Sequence, residues 1–147
     1  MIPSTPEKQK IIVLVGPTAV GKTSLSILLA QAVHGEVVSA DSRQVYQGLD
    51  IGSGKVTQEE MNGVPHHLLD VSDPMEVFSA ADYVRLGRAA ITDTVSRGNV
   101  PIIVGGTGFY IDALLGKISL AEVPKNDVLR SMLRNKSLKE LQEILQE

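Results

Sequence analysis

The chain's 147 residues hold 43% hydrophobic and 21% charged side chains, with 14 basic against 17 acidic groups and a net charge of -3. That length gives room for one domain with a real core, and the lack of cysteine excludes disulfides, thiolate metal sites and cysteine nucleophiles. A global basic field is excluded too, so any RNA would be bound through shape and a local patch.

The polar segment 1–10 and the five-residue apolar run behind it are too short for a signal peptide or a membrane span, which places the expected protein in the cytoplasm. Ile11 to Val15 is β-branched and ends at Gly16-Pro17, as a buried parallel strand feeding a turn would. From Lys22 onward Leu25, Leu28, Leu29, Ala32 and Val33 share one helical face, with Gly35 expected as the left-handed cap. Glu36 to Ser39 reads as a second strand. Asp41 to Pro65 is rich in glycine and polar residues, so it is expected to be loop with a short helical turn. His67 to Val71 is a candidate third strand. Ser79 and Asp82 form a capping box opening a helix that runs to Gly98, and Val100 to Val104 is the next strand. Strands alternating with helices imply right-handed crossovers, a mostly parallel sheet and ligands at the strands' carboxyl ends. After Gly116 the pattern changes. Lys117 to Asn126 is a connector, and Asp127 to Glu147 reads as two short helices, the second opened by Ser137 and Glu140. Leu138, Leu141, Ile144 and Leu145 form an apolar face with no further helix to cover it, which suggests a truncated chain.

Gly16-Pro17-Thr18-Ala19-Val20-Gly21-Lys22-Thr23 fits the Walker A pattern, with the preceding strand and following helix that the chemistry needs. Backbone amides and the helix N-terminus would hold phosphate oxygens, Lys22 would add a point charge, and the Thr23 hydroxyl could ligate Mg2+. Taken alone, this motif suggests ATP or another nucleotide. An ATPase, however, commonly carries an Asp after a strand such as Val100 to Val104, where this chain has Gly105-Gly106-Thr107-Gly108. That turn could cradle a second polar group or simply start a helix. Asp41, at the end of the second strand, could act as a base, although an Asx turn is the commoner role for such a residue. Arg43 and Gln44 could read a polar substrate edge or lie solvated. The side chains of His66 and His67 point apart on extended chain and no third ligand lies nearby, which favours a structural role over a metal site. Tyr46, Phe78, Tyr83, Phe109 and Tyr110 are too scattered for a base-stacking platform and are assigned to core or pocket wall.

The segments S-A-D-S-R-Q-V-Y-Q-G-L-D-I-G at 39–52, G-V-P-H-H-L at 63–68, F-S-A-A-D at 78–82 and P-I-I-V-G-G-T-G-F-Y-I at 101–111, together with the P-loop, resemble the bacterial tRNA dimethylallyltransferases. The resemblance implies an α/β, P-loop NTPase-like three-layer fold over residues 1–116 and the start of a helical insertion domain over 117–147. It further implies transfer of a dimethylallyl group from dimethylallyl diphosphate to the exocyclic amine of the adenosine 3′ of the anticodon in tRNA. The P-loop, Gly16 to Thr23, would then hold the leaving diphosphate, with Lys22 and Mg2+ on Thr23 stabilising its charge. Asp41 matches the general base, Asp41, Ser42, Arg43 and Gln44 match the segment contacting the target nucleotide, and Thr107 matches a position near the tRNA. The full-length enzyme would be a monomer without membrane attachment. Gly54-Lys55-Val56 departs from the family's Ala-Lys-Pro but retains Lys55. Alternatives are an adenylate isopentenyltransferase, a small-molecule kinase, or a phosphate-binding fragment without catalysis.

Overall fold

The computed structural model describes residues 10–120 and 126–146, so expectations placed on residues 1–9, 121–125 and 147 fall outside the described part. Four strands, β1 (Ile12–Val15), β2 (Gly35–Ala40), β3 (His66–His67) and β4 (Val100–Gly105), form a parallel sheet in the order β1-β4-β2-β3. Between them run α1 (Lys22–Val33), the single turn α2 (Gln58–Met61) and α3 (Ala80–Ser96); α4 (Gly108–Leu114), α5 (Asp127–Arg134) and α6 (Leu138–Ile144) follow β4.

The alternation of side chains along each strand divides the core into two layers. Val37, Ile102 and Val104 meet Ile27 and Ala30 of α1, whereas Val38, Ala40 and Ile103 meet Tyr83, Val84 and Ile91 of α3 and Ile111 and Leu114 of α4. Ile102 and Ile103, neighbours pointing to opposite faces, are both completely buried. This is the three-layer α/β arrangement the sequence implied. The register brings Val15 and Ala40 level with Gly105, so the loops leaving β1, β2 and β4 open at one rim.

Four local expectations are corrected. His34, not Gly35, is the left-handed residue ending α1. Gly35 instead starts β2, where a Cβ would come within 2.7 Å of the Ile102 side chain and 2.9 Å of the Val100 carbonyl. The face of α1 turned inward carries Ser26, Ile27 and Ala30, while Leu25 and Leu28 are 52% and 65% exposed. β1 pairs only with β4 among the described residues, and Val15 is 59% exposed. The reason is layout: α3 and α4 pack mainly over β2 and β4, and β1 is the outer strand of the sheet among the described residues. Finally, β3 shrinks to His66–His67, because Leu68 and Asp70 take positive φ and break the extended run.

Both capping boxes form as expected, at Ser79/Asp82 and at Ser137/Glu140, and a third closes on Thr57 and Glu60. The helices α5 and α6 bury no residue among those described. Tyr83 and Tyr110 stack with ring centroids 4.3 Å apart, but Phe109 is half exposed and joins no core. No helix among the described residues is long and apolar enough to cross a membrane.

Candidate functional site

The P-loop turns between β1 and α1 through two residues with positive φ, Ala19 at 64° and Gly21 at 85°. Left-handed backbone at a residue other than glycine is uncommon, and strain of this kind gathers where backbone amides must converge on a ligand. α1 opens at Gly21 with no side chain capping it. Its first amides and the positive end of its dipole therefore remain available to an anion. The Lys22 ammonium donates to the Pro17 carbonyl at 2.6 Å, folding back over the loop, and the Ser26 hydroxyl donates to the Thr23 carbonyl at 2.7 Å. The Thr23 hydroxyl makes no hydrogen bond among the described residues and lines the same cleft as Lys22.

Across that cleft stands Asp41, one residue beyond β2. β4 separates β2 from β1, so Asp41 lies near the P-loop strand but not beside it. The Asx turn forms: Oδ1 accepts the amides of Arg43 at 2.8 Å and Gln44 at 3.3 Å. Both bonds fall on one oxygen, leaving Oδ2 unengaged among the described residues. The turn and a role as base are thus compatible, one oxygen for each.

The Gly105-Gly106-Thr107-Gly108 turn holds this arrangement. A Cβ on Gly105 would stand 2.1 Å from the Ala40 carbonyl oxygen, so glycine is required where β2 and β4 end together, and no carboxylate can occupy the position. The Thr107 amide donates to that same Ala40 carbonyl at 3.1 Å, and its hydroxyl accepts the Ser42 amide at 3.1 Å. Thr107 thereby ties the Asp41 turn to β4. Gln44 reaches the other way, its amide nitrogen donating to the carbonyls of Ser53 and Gly54 at 3.4 Å. The Arg43 side chain is exposed and makes no ion pair or hydrogen bond among the described residues.

Lys22, Thr23, Asp41, Gln44, Ser26 and His66 surround a cleft of about 50 Å³. The structure therefore gathers the P-loop lysine and threonine and the candidate base around one cleft, with Thr107 and Ser42 supporting the Asp41 turn, whereas Arg43 does not line that cleft and faces a separate cavity with Gly48 and Leu49. A larger cavity of about 660 Å³ adjoins it through Val56, His66 and Leu69.

Two polar clusters escaped the sequence reading. Glu36, 2% exposed, accepts Arg97 Nε and Nη2 at 2.9 and 2.6 Å, Asn99 at 2.7 Å, His67 Nε2 at 2.6 Å and Thr94 at 3.2 Å. Arg97 above all, then Asn99, His67 and Thr94, hold its carboxyl far below the usual range despite burial. The one available signal was a glutamate inside a buried β-branched strand, which must be paired. Lys55 donates to the Tyr46 carbonyl at 2.9 Å and pairs with Asp50 and Asp70. Its burial opposes the charge, but the two carboxylates outweigh it and keep the ammonium protonated beyond the ordinary lysine range. This pin fastens the 46–55 loop to the segment after β3.

The family model "IPP transferase" matches residues 44–147. A tRNA dimethylallyltransferase of Anoxybacillus flavithermus is 50% identical over 139 residues, 95% of this chain and 45% of that protein. The Bacillus subtilis tRNA dimethylallyltransferase is 50% identical over 127 residues, 86% and 40% of the two chains. Among solved structures, the full-length tRNA isopentenylpyrophosphate transferase of Bacillus halodurans superimposes with a TM-score of 0.76 at 44% identity, covering 94% of this chain and 47% of that one. A eukaryotic dimethylallyltransferase acting on tRNA gives 0.78 at 36% identity, over 88% and 33%. The chain spans less than half the length of these relatives. The family model and these similarities show that the chain belongs to the IPP transferase family.

Proposed function

We propose that the chain carries the diphosphate-holding and proton-accepting parts of a tRNA dimethylallyltransferase. The observation that carries this reading is the shared cleft, which is lined together by Lys22 and Thr23 of an uncapped helix and by Asp41, one of whose oxygens takes no hydrogen bond among the described residues. In the reaction, the bond between the allylic carbon and the diphosphate oxygen breaks as the adenosine amine bonds to that carbon. The amine's proton passes to Asp41, and the leaving diphosphate takes the electron pair. The P-loop amides and Lys22 stabilise charge that grows only as the diphosphate departs, which favours the transition state over the bound substrate.

Mg2+ fits this chain through the Thr23 hydroxyl, which no side chain or carbonyl claims among the described residues. Magnesium takes few protein ligands and completes its shell with substrate phosphates and water, so the absence of any cluster of three acidic or histidine side chains among the described residues suits such a site. When bound, the ion would neutralise diphosphate charge. Gly105 supports prenyl rather than phosphoryl transfer, since the crowding against Ala40 leaves no space for a metal-binding Asp there. The acceptor, the adenosine 3′ of the anticodon, enters from the Asp41–Gln44 side with its base extruded from a single-stranded loop. On this reading the protein works in the cytoplasm, and α5 and α6 begin a helical insertion domain.

The test supplies dimethylallyl diphosphate, Mg2+ and unmodified tRNA to the chain, both alone and joined to the remaining portion of a Bacillus relative. Isopentenylated adenosine is the expected product; a folded fusion that yields none sinks the reading.

A further inference from the structure

His66 stands between two cavities, the small cleft holding Lys22, Thr23 and Asp41 and the larger one lined by Lys55, Met61 and Pro65. Its two ring nitrogens are in different situations. Nδ1 lies 2.9 Å from the Val64 carbonyl, and a carbonyl can only accept, so Nδ1 carries the proton and Nε2 presents a bare lone pair. Nε2 is buried and has no partner among the described residues. The adjacent His67 offers the contrast, with its Nε2 committed to Glu36. Protonation does not relieve His66, because burial, reinforced by the neighbouring His67, pushes its pKa down. A buried acceptor left without a donor loses its hydration and gains nothing in return.

The cleft beside it, about 50 Å³, suits a water molecule or two. Diphosphate oxygens are acceptors and cannot meet a second acceptor directly. A donor must stand between them, and water has two hydrogens to give. We propose that His66 Nε2 is the tautomer-locked acceptor for a water on the floor of the P-loop cleft, and that this water bridges to the diphosphate or its divalent cation when they bind. The bridge rests on the diphosphate reading above; the water itself does not. His66 is thus a positioning residue, ordering the ligand's hydration without touching the reacting carbon.

Long-range proton–nitrogen NMR on the chain, with its three histidines assigned by single substitution, reads both ring nitrogens. The free chain should show the Nδ1–H tautomer at His66 and cross-relaxation between its ring and water; an Nε2–H tautomer, or no water contact, overturns the proposal. Adding inorganic diphosphate with Mg2+ should shift the Nε2 resonance toward stronger acceptance. The same shift without Mg2+ identifies a free bridging water, and a shift that needs Mg2+ identifies a metal-bound one; either supports the bridge. P-loop amides that respond while Nε2 does not would overturn it. If those amides ignore diphosphate altogether, the diphosphate reading and the bridge fall together, and the free-chain spectra still decide the water. His66→Phe should weaken Mg2+-diphosphate binding about ten-fold, whereas His66→Gln, which keeps an acceptor near Nε2, should stay within about three-fold. Equal affinity in the wild type and the His66→Phe variant would overturn the bridge, and the wild-type spectra stand even if that variant fails to fold.

Discussion

At its amino end β2 carries Glu36, whose carboxylate receives five hydrogen bonds from four side chains, while just beyond its carboxyl end Asp41 has one oxygen held by two amides and the other without a partner among the described residues. The two carboxylates belong to one strand and its next residue, yet their surroundings assign them opposite work. Saturation removes a carboxylate from chemistry and makes it a fastener between β2, β3 and the end of α3. Incomplete satisfaction at the rim leaves groups that a ligand can engage, and His66 Nε2 and the Thr23 hydroxyl share that condition among the described residues. On the proposed function, stability and ligand binding are segregated along the strand axis, as expected when ligands gather at the carboxyl ends of parallel strands.

Exchanging the two carboxylates for amides should break the comparison most sharply at Asp41. Asp41→Asn keeps an oxygen for the Arg43 and Gln44 amides but loses the carboxylate proposed as the base. Turnover of the complete enzyme should fall about 10²–10⁴-fold, with diphosphate affinity by calorimetry and the denaturation midpoint nearly unchanged. Retained turnover would remove Asp41 from the role of base. Glu36→Gln should do the reverse, lowering unfolding stability by about 2 kcal/mol through weakened charge-assisted bonds, with diphosphate affinity preserved. Urea denaturation at pH 7 measures this, and an unshifted midpoint would refute Glu36 as a fastener. Arg97→Met should destabilise in the same direction, because it leaves Glu36 buried with its main counter-charge gone.

The pH dependence sharpens the same contrast. The folded pKa of Glu36 is depressed, with Arg97 the largest cause, so the folded state holds its proton less tightly than the unfolded one. Its stabilisation is complete above the unfolded glutamate value of about 4.3 and is lost progressively as pH falls toward the folded value. Urea midpoints should therefore decline below about pH 4.3 in the wild type and decline less steeply in Glu36→Gln. Parallel curves would show that other carboxylates govern acid unfolding.

Much of this layout was legible beforehand because it depends on local rules. The Walker A spacing, the β-branched run Val100 to Val104 and the capping boxes each specify structure within a few residues, and all appear. What the sequence concealed depends on approach between distant segments. Gly35 looked like a helix cap because αL glycines are common there; only the closeness of Ile102 and Val100 shows why it starts a strand. Val15 read as buried because β-branched runs usually are, and sheet order alone puts it on an outer strand. Likewise Glu36 meets Arg97 across 61 positions, a partnership that no periodicity encodes. Asp41 was legible as a candidate but not as a residue with divided oxygens.

The smallest expected effect concerns the support of the rim. Thr107 joins Ser42 across 65 positions through a single hydroxyl, accepting at 3.1 Å. Thr107→Val preserves shape and removes that acceptor, leaving the part-buried Ser42 amide without it, at a cost of about 1 kcal/mol. If the bond serves only the fold, the whole cost should appear as lowered unfolding stability, with turnover unaltered. If it holds Asp41 in register with the cleft, a similar free energy should appear in the reaction as a roughly five-fold loss of kcat with little change in diphosphate affinity. Measuring stability and kcat on the same variant separates the two, because the Thr107 backbone bond to Ala40 survives the substitution and keeps the strand ends together in either case.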